Sequence, residues 1–170
     1  MIRLVIFEEQ TFFRFGMKNA LEDKHDIRVT GEAYYERALF DVLAHTAADI
    51  VLLGINIPDD SSSIDIAHHI RHNYPDAKIL AVANEDTSKT VQSLMDAGIN
   101  GYIGKRQADC VELEKAIRTV AAGGEYIGKI DTNTHLRSSK VESTNGARYC
   151  EERNEAIQSP AYGLLQIIKL

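Results

Sequence analysis

The sequence predicts an α/β fold in which helices cover both faces of a five-stranded parallel sheet. Three observations lead there. Short apolar runs of strand length occur five times, and most are continuous rather than alternating, as in strands buried on both faces. Each run is followed by apolar residues at helical spacing. Glycine, proline and short polar stretches separate the units.

The elements follow in order. "IRLVIF" (Ile2 to Phe7) is the first strand, and Phe13, Met17, Ala20 and Leu21 mark the helix after it. "DIRVTGEA" holds a second strand; Leu39, Val42 and Leu43 mark the second helix. "DIVLLG" is the third strand, and Ile66 and Ile70 share one face of a third helix. That helix ends at Tyr74-Pro75, because proline disfavours helical backbone in the residue before it. "AKILAVA" is the fourth strand, followed by a helix carrying Val91, Leu94 and Met95. "GYIG" is the fifth, and Leu113, Ile117 and Val120 give a last helix closed by Gly123-Gly124. Five such units, connected by right-handed crossovers, are most simply wound in the doubly wound, flavodoxin-like (βα)5 order.

The repeat occupies residues 1–130, and its pattern fails in 131–170. That segment is polar through most of its length, and its one apolar cluster is the terminal "YGLLQIIKL". From His135 onward it holds 5 of the 19 basic and 4 of the 25 acidic residues, leaving 14 against 21 before it, so the chain's acidity resides in the repeat. An irregular, flexible extension ending in a short docking helix is expected there.

The acidic balance argues against generic attraction to nucleic acid or to an anionic membrane. No apolar run reaches the roughly 20 residues of a membrane span. "MIRLVIFEE" has too short an apolar core for a secretory signal, so a cytoplasmic protein is expected. Cys110 and Cys150 form no disulfide or metal pattern.

In doubly wound sheets, sites form at the carboxyl ends of the strands. Those ends carry Glu8-Glu9, Gly54, Ala83-Asn84 and Lys105. The candidate site is therefore selected by topology alone.

The same residues carry a family resemblance. "IRLVIFEEQTFFRFGMKNAL", "ADIVLLGINIP", "AGINGYIGK" and "LEKAIRTVAAGGEYI" resemble, collinearly, the receiver domain of bacterial two-component response regulators of the NarL/FixJ type. The similarity runs from Ile2 to about Ile127. It implies a phosphoacceptor aspartate at the end of the third strand and two acids after the first strand that help hold Mg²⁺. A Thr or Ser after the fourth strand and a Lys after the fifth bind the phosphoryl group, and an aromatic residue reports the state.

Carried over residue by residue, the resemblance describes a degenerate site. The acid pair is Glu8 and Glu9, each one methylene longer than aspartate. The phosphoacceptor position is Gly54, which has no nucleophile, and the Thr/Ser position is Ala83, which has no hydroxyl. Lys105 matches the lysine, Tyr102 the switch aromatic, and the Asn56 carbonyl a metal-ligand position. Ordinary aspartyl phosphorylation is not expected, and Gly54→Asp alone is expected to restore little of it. Glu8, Glu9 and Asn56 make a weak Mg²⁺ site at most, since that ion wants several hard oxygen ligands. The favoured alternative pairs Lys105 with one of the glutamates. No cofactor is expected.

Plainer readings stand beside these. Gly54 is also a permissive residue at a strand-to-loop turn, and Tyr102 a half-exposed strand aromatic. Asp59 and Asp60 are loop acids of the ordinary solvated kind rather than replacement acceptors. His68 and His72 share a helical face beside His69, but no third ligand is apparent and a solvated face is favoured.

The expected function is that of a phosphorylation-independent signalling module, not an enzyme. It would contact a protein partner or a second copy through the face made by helix 4, strand 5 and helix 5, without direct DNA binding. The alternative is a remnant of a DNA-binding transcription regulator that lost its helix-turn-helix output domain. "RYCEERNEAIQSP" reads as translated repeat-element sequence and favours that alternative. A third reading, an enzyme or ligand-binding protein using the same crevice, lacks any readable nucleophile-base pair.

Overall fold

The computed structural model describes residues 1–56, 61–84, 88–106 and 108–129. The extension expected over 131–170, and the loop acids Asp59 and Asp60, lie outside them. Among the described residues, eleven elements alternate: β1 (Ile2–Phe7), α1 (Thr11–Glu22), β2 (Ile27–Ala33), α2 (Glu36–His45), β3 (Ile50–Ile55), α3 (Ser61–Asn73), β4 (Lys78–Ala83), α4 (Ser88–Asp96), β5 (Gly101–Gly104), α5 (Cys110–Ala121) and β6 (Tyr126–Ile127). Every pairing is parallel, in the order β2-β1-β3-β4-β5-β6. Up to β5 this is the flavodoxin-like winding, with the switch point between β1 and β3.

Strand parity divides the core in two. Val51, Leu53 and Ile55 of β3 face one cluster with Leu39 and Leu43 of α2, Ile66 and Ile70 of α3, and Val91 and Leu94 of α4. Ile50 and Leu52 face the other, with Met17 and Leu21 of α1 and Leu113, Ile117 and Val120 of α5. Successive strand residues point to opposite faces, so continuous apolar strands supply both clusters. Burying each large aliphatic side chain contributes about 1.5–3 kcal/mol. All six residues of β3 are buried, which fixes the central strand and the position of Gly54 at its end.

The sixth strand corrects the expected count of five. Gly123 adopts φ +92°, and its amide and that of Gly124 cap α5 by donating to Val120 O and Thr119 O. The chain then runs along the outer edge of β5, where the Gly128 amide donates to Tyr102 O at 2.8 Å. Gly101 permits this approach, since a Cβ there would lie 3.1 Å from Tyr126 O. A two-residue strand is too short to leave a period in the sequence. At the opposite edge, the β1–β2 register shifts between Leu4 and Val5, leaving Thr30 to bond Leu4 O through its hydroxyl.

Lys78 ties β4 to the end of α5. Its ammonium donates to Val120 O and Ala121 O, both at 2.9 Å, which are among the carbonyls a helix end leaves unpaired.

Candidate functional site

The carboxyl ends of β1, β3, β4 and β5 bring Glu8, Gly54, Asn56, Asn84 and Lys105 together. Glu8 is wholly buried and Lys105 is 9% exposed, so both charges sit inside the fold. The Lys105 ammonium lies 2.6 Å from Glu8 Oε2. Oε2 takes no hydrogen bond from any other group among the described residues, so the ammonium is what it faces. The contact is therefore a Coulombic pair. Two buried opposite charges at this separation attract strongly, but each has given up its hydration, so neither is easily left alone.

The polar atoms around the pair complete the site. Lys105 Nζ donates to Asn56 Oδ1 at 2.5 Å, and Asn56 Nδ2 donates to Glu8 Oε1 at 3.4 Å. One side-chain amide thus bridges the cation and the anion. The Gln10 amide adds a 2.8 Å bond to Oε1, because α1 starts three residues beyond Glu8 and Gln10 is its N-cap. The Phe13 ring lies 4.9 Å from Lys105 Nζ, in cation–π range. Arg14 reaches the Glu8 carbonyl at 2.7 Å, and Asn84 Nδ2 reaches the Asn56 carbonyl at 3.4 Å.

Gly54 is close-packed rather than merely permissive. A Cβ at this position would lie 2.9 Å from Glu8 Cδ and 2.9 Å from the Phe7 carbonyl, and closer still to Glu8 Oε2. Glu8 therefore fills the space that a side chain at 54 would need. Glu9, its sequence neighbour, is exposed. The two acids read as a pair from sequence are separated by the structure into a buried partner of Lys105 and a solvated residue.

This arrangement does not fit a resident Mg²⁺. Glu8 is buried against Lys105 while Glu9 is exposed, so the several hard oxygen ligands that Mg²⁺ wants are not gathered here. No group of three or more His, Cys, Asp or Glu side chains suited to a metal occurs among the described residues. His68, His69 and His72 are exposed along α3, and the His69 ring packs against Phe40 at 4.0 Å between ring centres, tilted by 41°.

Tyr102 is fully buried, not half-exposed. It faces the cluster that receives Ala81 and Ala83 from β4, and these small side chains leave room for the ring. Ala83 itself is 2% exposed and contributes no polar atom beyond its backbone, which accepts from the Lys105 amide at 2.7 Å. Four contributors escaped the sequence reading: the Asn56 side chain, the Phe13 ring, the Arg14 guanidinium and the Gln10 amide. Phe13 registers in sequence only as one more apolar helix residue. Asn56 registers only through its carbonyl.

A parallel doubly wound sheet with acids after β1, Asn56 after β3 and a lysine after β5 is the arrangement of the receiver class. The response regulator receiver domain model matches residues 4–118, and the chain belongs to that family. Among curated relatives, the transcriptional regulatory protein MctR of Rhizobium johnstonii is 30% identical over 125 residues, covering 74% of this chain and 58% of that protein. The response regulator UvrY of Escherichia coli is 28% identical over 142 residues, covering 84% and 64%. DegU of Brevibacillus brevis, also a transcriptional regulatory protein, is 27% identical over 126 residues, covering 74% and 52%. The chain thus spans between about half and two thirds of the length of these relatives.

Solved structures agree on the fold. The isolated REC domain of RcsB from Salmonella enterica superposes with a TM-score of 0.66 at 21% identity, over 74% of this chain and 92% of that one. A two-component response regulator of the LuxR family from Aurantimonas gives 0.65 at 26% identity, over 73% and 87%. The chain is accordingly a two-component response-regulator receiver domain of the kind found in signalling proteins rather than in classical enzymes. No helix among the described residues is long and apolar enough to cross a membrane.

Proposed function

We propose that this receiver domain signals through protein–protein contact without aspartyl phosphorylation. One observation carries the reading: position 54 has no side chain, and the space above it holds the Glu8 carboxylate paired with Lys105. Phosphoryl transfer needs a nucleophile, a metal to neutralise the transferred group, and a free cation to receive it. The first is missing, the arrangement does not suit the second, and the third is already engaged. Ala83 removes the hydroxyl that would bind the product.

The module then acts as a shaped surface. The face made by α4, β5 and α5 is the proposed contact for a protein partner or a second copy. Its centre is occupied by β6, so a partner meets Ile127, which is 50% exposed, rather than the edge of β5 itself. The test is incubation with acetyl phosphate and Mg²⁺, followed by intact-mass measurement. No phosphoryl increment is expected. An increment mapping to the strand-end site overturns the proposal.

A second reading treats the chain as the receiver part of a DNA-binding transcription regulator. Its support is that relatives called transcriptional regulatory proteins are nearly twice as long as the stretch matched here. Reading the genomic DNA beyond codon 130 in all frames tests it. An interrupted helix-turn-helix there favours this reading, and unrelated sequence removes it.

A further inference from the structure

The turn from β2 into α2 leaves two consecutive aromatic side chains in solvent. Tyr34 is 58% and Tyr35 47% exposed, and the rings meet edge to face, with centres 4.8 Å apart and planes at 78°. This corner lies at the opposite edge of the sheet from β6, because β2 is the other outermost strand. The Tyr34 ring already carries a cation, the Arg14 guanidinium, which lies 5.5 Å from the ring centre. Arg14 is braced by the Glu8 carbonyl at 2.7 Å and by the Glu32 carboxylate at 3.6 Å.

Tyr35 opens onto different surroundings. With Glu36, Arg37, Phe40 and Asp41 it lines an open groove of about 560 Å³ along the first turns of α2. Phe40 is half-buried one turn beyond Glu36, and the His69 ring of α3 supports it. The groove therefore has two aromatic walls, Tyr35 and Phe40, and a charged rim. Among the described residues, neither the Glu36 nor the Asp41 carboxylate is held in an ion pair. Arg37 offsets one of these two charges, and the rim stays net negative.

We infer that this groove is a docking site for a basic segment of a protein partner, whose arginine or lysine side chain packs against Tyr35 and Phe40. The surface is distinct from the α4, β5 and α5 face, and the inference holds whether or not the domain is phosphorylated. Several features select a cation. Aromatic faces attract guanidinium and ammonium groups through the ring quadrupole. The uncommitted carboxylates favour the same sign, whereas an acidic segment would meet like charge and an aliphatic one would strip them of water without compensation. The fold supplies its own precedent, since Arg14 with Tyr34 and Glu32 is the same combination of guanidinium, ring and carboxylate made within the chain. The excess of acids, 21 against 14 basic residues before His135, adds long-range attraction for a basic partner.

The test uses the full chain and an acetylated, amidated heptapeptide alternating glycine and arginine, titrated by NMR. Amide shifts centred on residues 34–41 are expected. The same peptide with citrulline, which keeps the planar shape of arginine without its charge, is expected to bind at least about fivefold more weakly. The arginine peptide is expected to lose at least about fivefold in affinity for Tyr35→Leu. That substitution leaves the net charge unchanged, so the loss separates docking in the groove from general attraction to an acidic protein. Glu36→Gln is expected to weaken binding more than Glu22→Gln, the same change of charge at the last residue of α1.

A Tyr35→Leu chain that binds as well as the wild type overturns the inference. Equal losses in the two glutamate variants, equal affinity for the citrulline peptide, or shifts centred away from residues 34–41 do the same. So does a dimer, seen by sedimentation, that Tyr35→Leu dissolves, because a second copy and not a basic segment then covers the groove.

Discussion

Replacing Lys105 by methionine removes the ammonium that lies over the Phe13 ring while keeping most of the aliphatic stem. The consequence follows from burial. The side chains of Lys105 and Glu8 are 4% and 0% exposed, so the carboxylate left behind cannot recover its water. It retains the Gln10 amide at 2.8 Å and a long bond from Asn56 at 3.4 Å, but its countercharge at 2.6 Å is gone. Breaking one side of such a pair costs about 3–5 kcal/mol, a large part of the roughly 5–15 kcal/mol that holds a domain together. With a urea slope of about 2 kcal/mol/M, the unfolding midpoint should fall by about 2 M. Adding Glu8→Gln to Lys105→Met should restore most of the loss, because an isosteric neutral pair carries no unpaired charge. Far-UV circular dichroism through a urea titration measures both variants. A loss below about 1 kcal/mol for Lys105→Met, the scale of an exposed pair, would refute the buried-pair reasoning.

Three further outcomes are expected. Asp49 is held below the usual carboxylate range chiefly by the hydrogen bond from Arg3, and Asp26 likewise by Arg118. A depressed carboxylate stabilises fully above its unfolded value, near 4, and loses that contribution as pH falls through the folded value. Asp49→Asn should therefore flatten the decline in Tm as pH falls below about 4, and an unchanged slope would count against this. Lys78→Met should cost about 1.5–3 kcal/mol, because it removes two charge-assisted bonds to the end of α5, with faster amide exchange confined to that helix end. Gly31→Ala should cost about 1–3 kcal/mol, since its Cβ would run into Val42, and Val42→Ala in the same chain should relieve part of it in the same urea assay.

Much of the fold was legible because buried parallel strands write themselves as continuous apolar runs. Ile50 to Leu53 and Lys78 to Ala83 were placed by pattern and lie where the pattern put them. The helices were marked by pairs such as Met17 and Leu21, or Ile117 and Val120, which the structure buries on one face. β6 was not legible. Its two residues form a strand because Gly123 turns the chain and Gly101 lets it approach, and neither condition is periodic.

The same division applies at the site. Sequence by itself determined that the third strand ends without a nucleophile, that the fourth ends without a hydroxyl, and that acids and a lysine stand at neighbouring strand ends. Those are properties of residue identity and topological order. Only the tertiary structure decided that Glu8 and not Glu9 meets Lys105, that Asn56 bridges them through its side chain, that Phe13 lies beside the cation, and that Tyr102 is wholly buried. Each of these depends on where a side chain turns once strands 40 to 100 residues apart in sequence stand side by side. Glu8 turns over Gly54 because that is where space and an opposite charge coincide.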